Sequence, residues 1–126
     1  MLIRLTLFAL FASLCCANAF AEHHFVCKTS KYTAIIDRLP AGDYRYRVWN
    51  KPKSMSQASD LVVLGGVGTV EGTGPCRHRL WMFNNGDVEY IVSTLGCTES
   101  IPPEGTIGEI SVFVGGEYKK SWWCAD

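Results

Sequence analysis

Cys76-Arg77-His78-Arg79-Leu80-Trp81-Met82-Phe83-Asn84-Asn85-Gly86-Asp87-Val88-Glu89-Tyr90-Ile91-Val92-Ser93-Thr94-Leu95-Gly96-Cys97 reads as one β-hairpin with a cysteine at each outer end. Asn85-Gly86 is its turn, because both residues accept the positive φ that a two-residue type I′ turn requires. The flanks are rich in aromatic and β-branched residues, which fit a pleated surface. With that turn, Asn84 faces Asp87 and Cys76 faces Leu95, two residues short of Cys97. A frayed end or a bulge spans the offset, and Cys76–Cys97 becomes the staple of the hairpin.

The same short-strand grammar runs outward in both directions. Phe25 to Thr29 and Tyr32 to Leu39 read as strands, and Pro40-Ala41-Gly42-Asp43 as a turn. Tyr44 to Trp49 alternates, with Tyr44, Tyr46 and Val48 on one face and Arg45, Arg47 and Trp49 on the other. Asn50 to Asp60 is polar and without period, the longest loop expected, with room for one helical turn. Leu61 to Leu64 reads as a buried strand. Gly65-Gly66-Val67-Gly68 allows a turn or bulge before a strand over Thr69 to Thr73. After the hairpin, Thr98 to Thr106 is a loop. Ile107 to Val114, Gly115-Gly116 and Glu117 to Cys124 form a last hairpin. No stretch of this part shows a helical period. The expectation is an all-β domain over 22–126, a small antiparallel β-barrel or sandwich of about eight short strands, with the tight hairpins favouring a barrel.

Residues 1–21 read as a secretory signal peptide. Arg4 precedes the apolar run Leu5 to Leu14, and Ala17-Asn18-Ala19 and Ala19-Phe20-Ala21 are small-x-small cleavage sites. The apolar run is shorter than the roughly 20 residues that span a bilayer. Cys15 and Cys16 leave with this segment; the residues before them do not suit lipid attachment. Cys27, Cys76, Cys97 and Cys124 remain, and four cysteines in a small exported chain read as two disulfides. With Cys76–Cys97 assigned, Cys27–Cys124 follows by elimination and would lock the first strand to the last; the other two connectivities stay open. The expected location is the periplasm or the outside of the cell.

Lys and Arg number 12 against 12 Asp and Glu, a balance that does not suit a nucleic-acid binder. No catalytic constellation is visible. His78 lies between Arg77 and Arg79, whose charges disfavour an imidazolium, and there is no Gly-x-Ser-x-Gly elbow. A small secreted hydrolase built on His78 is the last of three readings. The glycine-rich run from Gly65 to Gly74 has no lysine for a phosphate loop. No Cys-x-x-Cys, His-x-x-x-His or acidic calcium loop stands in the folded part, so no metal and no cofactor are expected.

What remains is surface. Arg45, Arg47, Trp49, Lys51 and Lys53 lie within nine residues, with Arg77 and Arg79 able to join them from a neighbouring strand. Cations interleaved with rings suit an anionic or sugar-like partner, or an acidic protein surface. The first reading is therefore an exported non-enzymatic binding protein with a protein partner, of inhibitor or immunity type. The second is a module for carbohydrate or another envelope component. Phe25-Val26-Cys27 and Trp122-Trp123-Cys124 would tie an early strand to a late one. In that layout, with a signal segment and a small antiparallel barrel, the chain resembles the periplasmic and membrane-bound inhibitors of c-type lysozyme. The Ser-Gly-x-x-Tyr and Thr-Lys-Gly elements of that family are absent here, so no inhibitory residue is carried over.

Overall fold

The computed structural model describes residues 22–126; the expected signal peptide, with Cys15 and Cys16, lies outside the described residues. Eight antiparallel strands follow one another around a closed barrel: β1 (Glu22–Lys28), β2 (Tyr32–Arg38), β3 (Tyr44–Asn50), β4 (Leu61–Glu71), β5 (His78–Asn85), β6 (Val88–Thr94), β7 (Thr106–Val114) and β8 (Glu117–Ala125). Each strand pairs with its neighbours in sequence, so every connection is a hairpin or a short loop. One turn of 3-10 helix, Gly74–Cys76, precedes β5. No described helix is long and apolar enough to cross a membrane.

Alternation decides what the barrel encloses, since successive side chains point to opposite faces. Tyr46 and Val48 of β3, Trp81 and Phe83 of β5, Val92 of β6 and Ile110 of β7 all turn inward and are buried. The rings interlock: Phe25 stacks on Trp81 at 5.6 Å between centroids, and Tyr46 stacks on Phe83 at 5.3 Å. Such pairs contribute about 0.5–1.5 kcal/mol each beyond the area they bury. Large rings need bare backbone opposite them. A Cβ on Gly66 would stand 2.1 Å from the Phe83 ring, and one on Gly108 would stand 2.2 Å from the Ser93 carbonyl oxygen.

Three local expectations change. The central turn is Gly86-Asp87 and not Asn85-Gly86, because Asn85 pairs with Val88. Gly86 alone carries positive φ, at 64°, as a two-residue turn with Gly in its first central position requires. This slides β6 by two residues along β5, which leaves every side chain on its original face. Extending the ladder beyond Leu80↔Ser93 then brings Cys76 opposite Cys97 with no offset, and their Cα atoms lie 4.7 Å apart in the disulfide. Second, the first strand begins not at Phe25 but at Glu22, so that His23 stands opposite Asp37 in β1. Third, the two strands expected between Leu61 and Thr73 are one. The pairs Tyr44↔Gly66 and Arg45↔Leu64 skip Gly65, whose φ of 77° absorbs a bulge inside a continuous 11-residue β4. Within it Val63 is buried, but Val62 and Leu64 point outward and are exposed.

The seam of the barrel is thin. Among the described residues, β1 and β8 share a single bridge pair, Lys28↔Ala125. Next to it Cys27 and Cys124, both buried, are joined by the second disulfide with a Cα separation of 4.8 Å.

Candidate functional site

The basic residues singled out from the sequence do not gather on one patch. β2 and β3 are joined by a short turn, which places Asp37 opposite Arg45 and Ile35 opposite Arg47 on the outer face. Asp37 is fully buried there. Arg45 donates to its Oδ2 through Nε (3.1 Å) and Nη2 (2.9 Å), and Arg47 donates to the same oxygen through Nε at 2.9 Å. Oδ1 lies 3.2 Å from His23 Nε2 without hydrogen-bond alignment. The two guanidinium groups thus serve a carboxylate of their own chain. Trp49, on the same outer face, is 1 % exposed. Arg47 lies over its ring at 5.1 Å, and its indole Nε1 donates to the Gln57 carbonyl at 2.8 Å.

The loop from residue 51 to 60 is fastened by its own charges. Lys51 Nζ donates to the Thr29 carbonyl. Lys53 Nζ donates to Asp60 Oδ1 (3.0 Å) and to the Ala58 carbonyl (3.2 Å), while Asp60 Oδ2 accepts the Asn50 N–H at 2.7 Å. That backbone bond, and then Lys53, hold the Asp60 carboxyl below the usual carboxylate range. The loop contains no helical turn.

Arg77, Arg79 and His78 lie at the other end of the barrel. Arg77 is exposed after the 3-10 turn. Arg79 takes an inward register position and lies over the Trp81 ring at 5.5 Å. His78 Nδ1 sits 2.9 Å from the Cys76 carbonyl, which can only accept, so that nitrogen carries the proton. Among the described residues no group of three or more His, Cys, Asp or Glu is placed to hold a metal ion.

The alternation that buried the core leaves a cavity at the end of the barrel where the 51–60 loop and the turns before β2, β6 and β8 meet. It encloses about 300 Å³, and its wall includes Tyr32, Tyr46, Tyr90, Trp122 and Lys120. Tyr46 forms part of it while only 3 % exposed. Among the described residues the Tyr46 ring meets Phe83 and Tyr90, at 5.3 and 5.2 Å, and its hydroxyl has no hydrogen-bond partner. Burial, together with the nearby phenols of Tyr90 and Tyr32, pushes the Tyr46 hydroxyl far above the ordinary tyrosine range; burial also raises Tyr90. Both remain neutral donors near neutral pH. Tyr32 meets Trp122 edge to face at 5.3 Å, and Lys120 Nζ stands 4.8 Å above the Trp122 ring. A ring-walled pocket with a few polar groups converging on it has the form of a small-molecule site.

Two other surfaces stand out. Trp123, on the opposite face of β8 from Trp122, lines an open polar groove with Glu99, Glu109, Tyr118 and Ser121. Val62, Leu64 and Val67 of β4 and Met82 of β5 form an exposed apolar strip on the outer wall. Alternation puts Tyr46 on the β3 face opposite Arg45 and Arg47, and adjacency puts Trp122 and Trp123 on opposite faces of β8. Nothing local in the sequence separates a ring that fills the barrel from one that walls a cavity. No protein-family model, no curated protein and no solved structure matches the chain, so the likeness to the c-type lysozyme inhibitors stands on layout alone and the cavity carries the functional argument.

Proposed function

We propose that the protein is an exported, non-enzymatic binding protein whose barrel mouth holds one compact molecule of the cell envelope or its surroundings. The observation that carries this reading is the cavity itself, whose wall brings Tyr32, Tyr46, Tyr90, Trp122 and Lys120 together at one end of the barrel. Small eight-stranded barrels have an interior of a size that side chains fill or that one small ligand occupies. Here side chains fill one end and leave about 300 Å³ at the other, at the lower limit of ligand pockets and suited to a single sugar or ring. Export is supported by the sequence of residues 1–21 and by the two disulfides, which persist in oxidising compartments.

The test is to purify the protein from its native compartment and identify co-purifying small molecules by mass spectrometry, beside a Val112→Trp variant whose added ring fills the cavity. A compound enriched with the wild type and lost with the folded variant supports the reading. Identical profiles from the two proteins sink it.

A protein partner is the second reading, favoured by the exposed strip of Val62, Leu64, Val67 and Met82. Exposed apolar patches mark interaction surfaces. The occupant that fits is an apolar protein segment lying along β4. Chemical-shift mapping against envelope extract would broaden the β4 methyl resonances in that case; broadening confined to Tyr32, Tyr90 and Trp122 excludes it.

A further inference from the structure

Resting on the cavity as a ligand site, we infer that its ligand is a compact mono-anion, a carboxylate on a flat apolar body, with Lys120 as the counter-charge. Lys120 occupies an inward register position of β8, opposite Val112, at the mouth of the cavity. Of the other lysines at this end, Lys53 is engaged by Asp60, Lys119 by Glu117 and Lys51 by the Thr29 carbonyl. Among the described residues Lys120 has no carboxylate partner; its ammonium rests on the Trp122 ring. Asp60, the one acid in the cavity wall, has each oxygen already occupied, by Lys53 and by the Asn50 N–H. Within the cavity wall Lys120 is thus the one cation, and the one acid, Asp60, is already paired with Lys53.

The hydroxyls agree with that sign. Tyr46, Tyr32 and Tyr90 share the wall, and among the described residues none of their hydroxyls makes a hydrogen bond. Phenols and an ammonium offer hydrogens to an acceptor-only group, which a carboxylate is. Below them Val48, Leu61, Ile110 and Val112 supply an apolar surface for a ring or short hydrocarbon. A cationic ligand would meet Lys120 with like charge.

The experiment titrates the folded protein with benzoate, cyclohexanecarboxylate and the neutral benzamide, following the Trp122 indole and tyrosine ring resonances. The expected result is that the two carboxylates perturb these signals and bind about tenfold more tightly than benzamide, the ratio that one charge-assisted hydrogen bond gives. Lys120→Met should remove that preference while benzamide binding stays unchanged, which a merely structural lysine would not do. Equal affinity for benzoate and benzamide, or a benzoate affinity untouched in Lys120→Met, overturns the anion assignment and leaves the cavity reading standing. Failure of all three probes to perturb the cavity resonances at millimolar concentration overturns both.

Discussion

Breaking the Cys27–Cys124 bond should cost more stability than breaking Cys76–Cys97, and it should open the molecule in a different place. The first bond spans 97 residues of chain and the second 21. In the chain-entropy relation these loops correspond to about 4.7 and about 3.4 kcal/mol, a gap of about 1.3 kcal/mol. Packing widens it. Cys27 and Cys124 are core residues, so paired alanines there also leave small cavities, whereas Cys97 is exposed. A domain of this size holds about 5–15 kcal/mol in total, so the Cys27→Ala/Cys124→Ala protein should lie near the limit of folding and the Cys76→Ala/Cys97→Ala protein well inside it. Urea unfolding followed by tryptophan fluorescence reads the difference, roughly 0.5–1 M in midpoint from the loop term alone. Location is the second readout. With one bridge pair at the seam, amides of β1 should lose exchange protection first in the long-loop variant, while those of β5 and β6 stay protected. Equal midpoints, or a variant pair in which the short loop costs more, would refute the loop argument. Unchanged protection in β1 would refute the seam as the weak line.

Three further outcomes follow from the packing and the charges. Asp37→Asn leaves Arg45 and Arg47 without their buried carboxylate and should destabilise by about 2–4 kcal/mol, measured by urea unfolding; a loss below about 1 kcal/mol means the cluster is solvated in solution. Gly108→Ala drives a methyl into the Ser93 carbonyl and should cost about 2–3 kcal/mol in the same assay, with wild-type stability as the contrary result. The raised phenols of Tyr46 and Tyr90 mean that the folded state keeps protons which the unfolded chain releases near pH 10. Their contribution is present below that pH and is lost as pH rises through the raised values. Phenolate absorbance should therefore show these two tyrosines ionising late and together with loss of circular dichroism. Ionisation of all five tyrosines near pH 10 with the fold intact would contradict it.

The residues differ in how much of this they disclose on their own. Cysteine count and the order of hairpins led to both disulfides, because in a meander the first strand and the last meet at the seam. At the central turn Asn-Gly is the stronger local signal, but the ladder against β7 and the Cys76–Cys97 bond favour Gly86-Asp87, one residue further on. The faces survived because a two-residue slide preserves parity. Alternation put Arg45, Arg47 and Trp49 correctly on one outer face. The pairing of Arg45 and Arg47 with Asp37 does not show within β3 itself, because Asp37 stands on β2. Pairing across the Pro40–Asp43 turn places Asp37 opposite Arg45, so that signal was present. The cavity is another matter. Whether Tyr46 and Trp122 fill the barrel or wall a void depends on the stagger of eight strands and on the volumes of all inward residues together, which no single stretch contains.

The seam has one more consequence, for how copies of the molecule meet at high concentration. Because β1 covers β8 at one bridge pair only, the described residues leave the run from Glu117 to Trp123 hydrogen-bonded on the β7 side alone. Such a strand border is a template for another chain, and lysine is one of the residues that keep it from being used. Lys119 and Lys120 stand on that border, both exposed. Neutralising Lys120 would therefore remove two things at once, the counter-charge at the mouth and part of the guard against sheet-to-sheet association, so the same side chain links ligand recognition to colloidal behaviour.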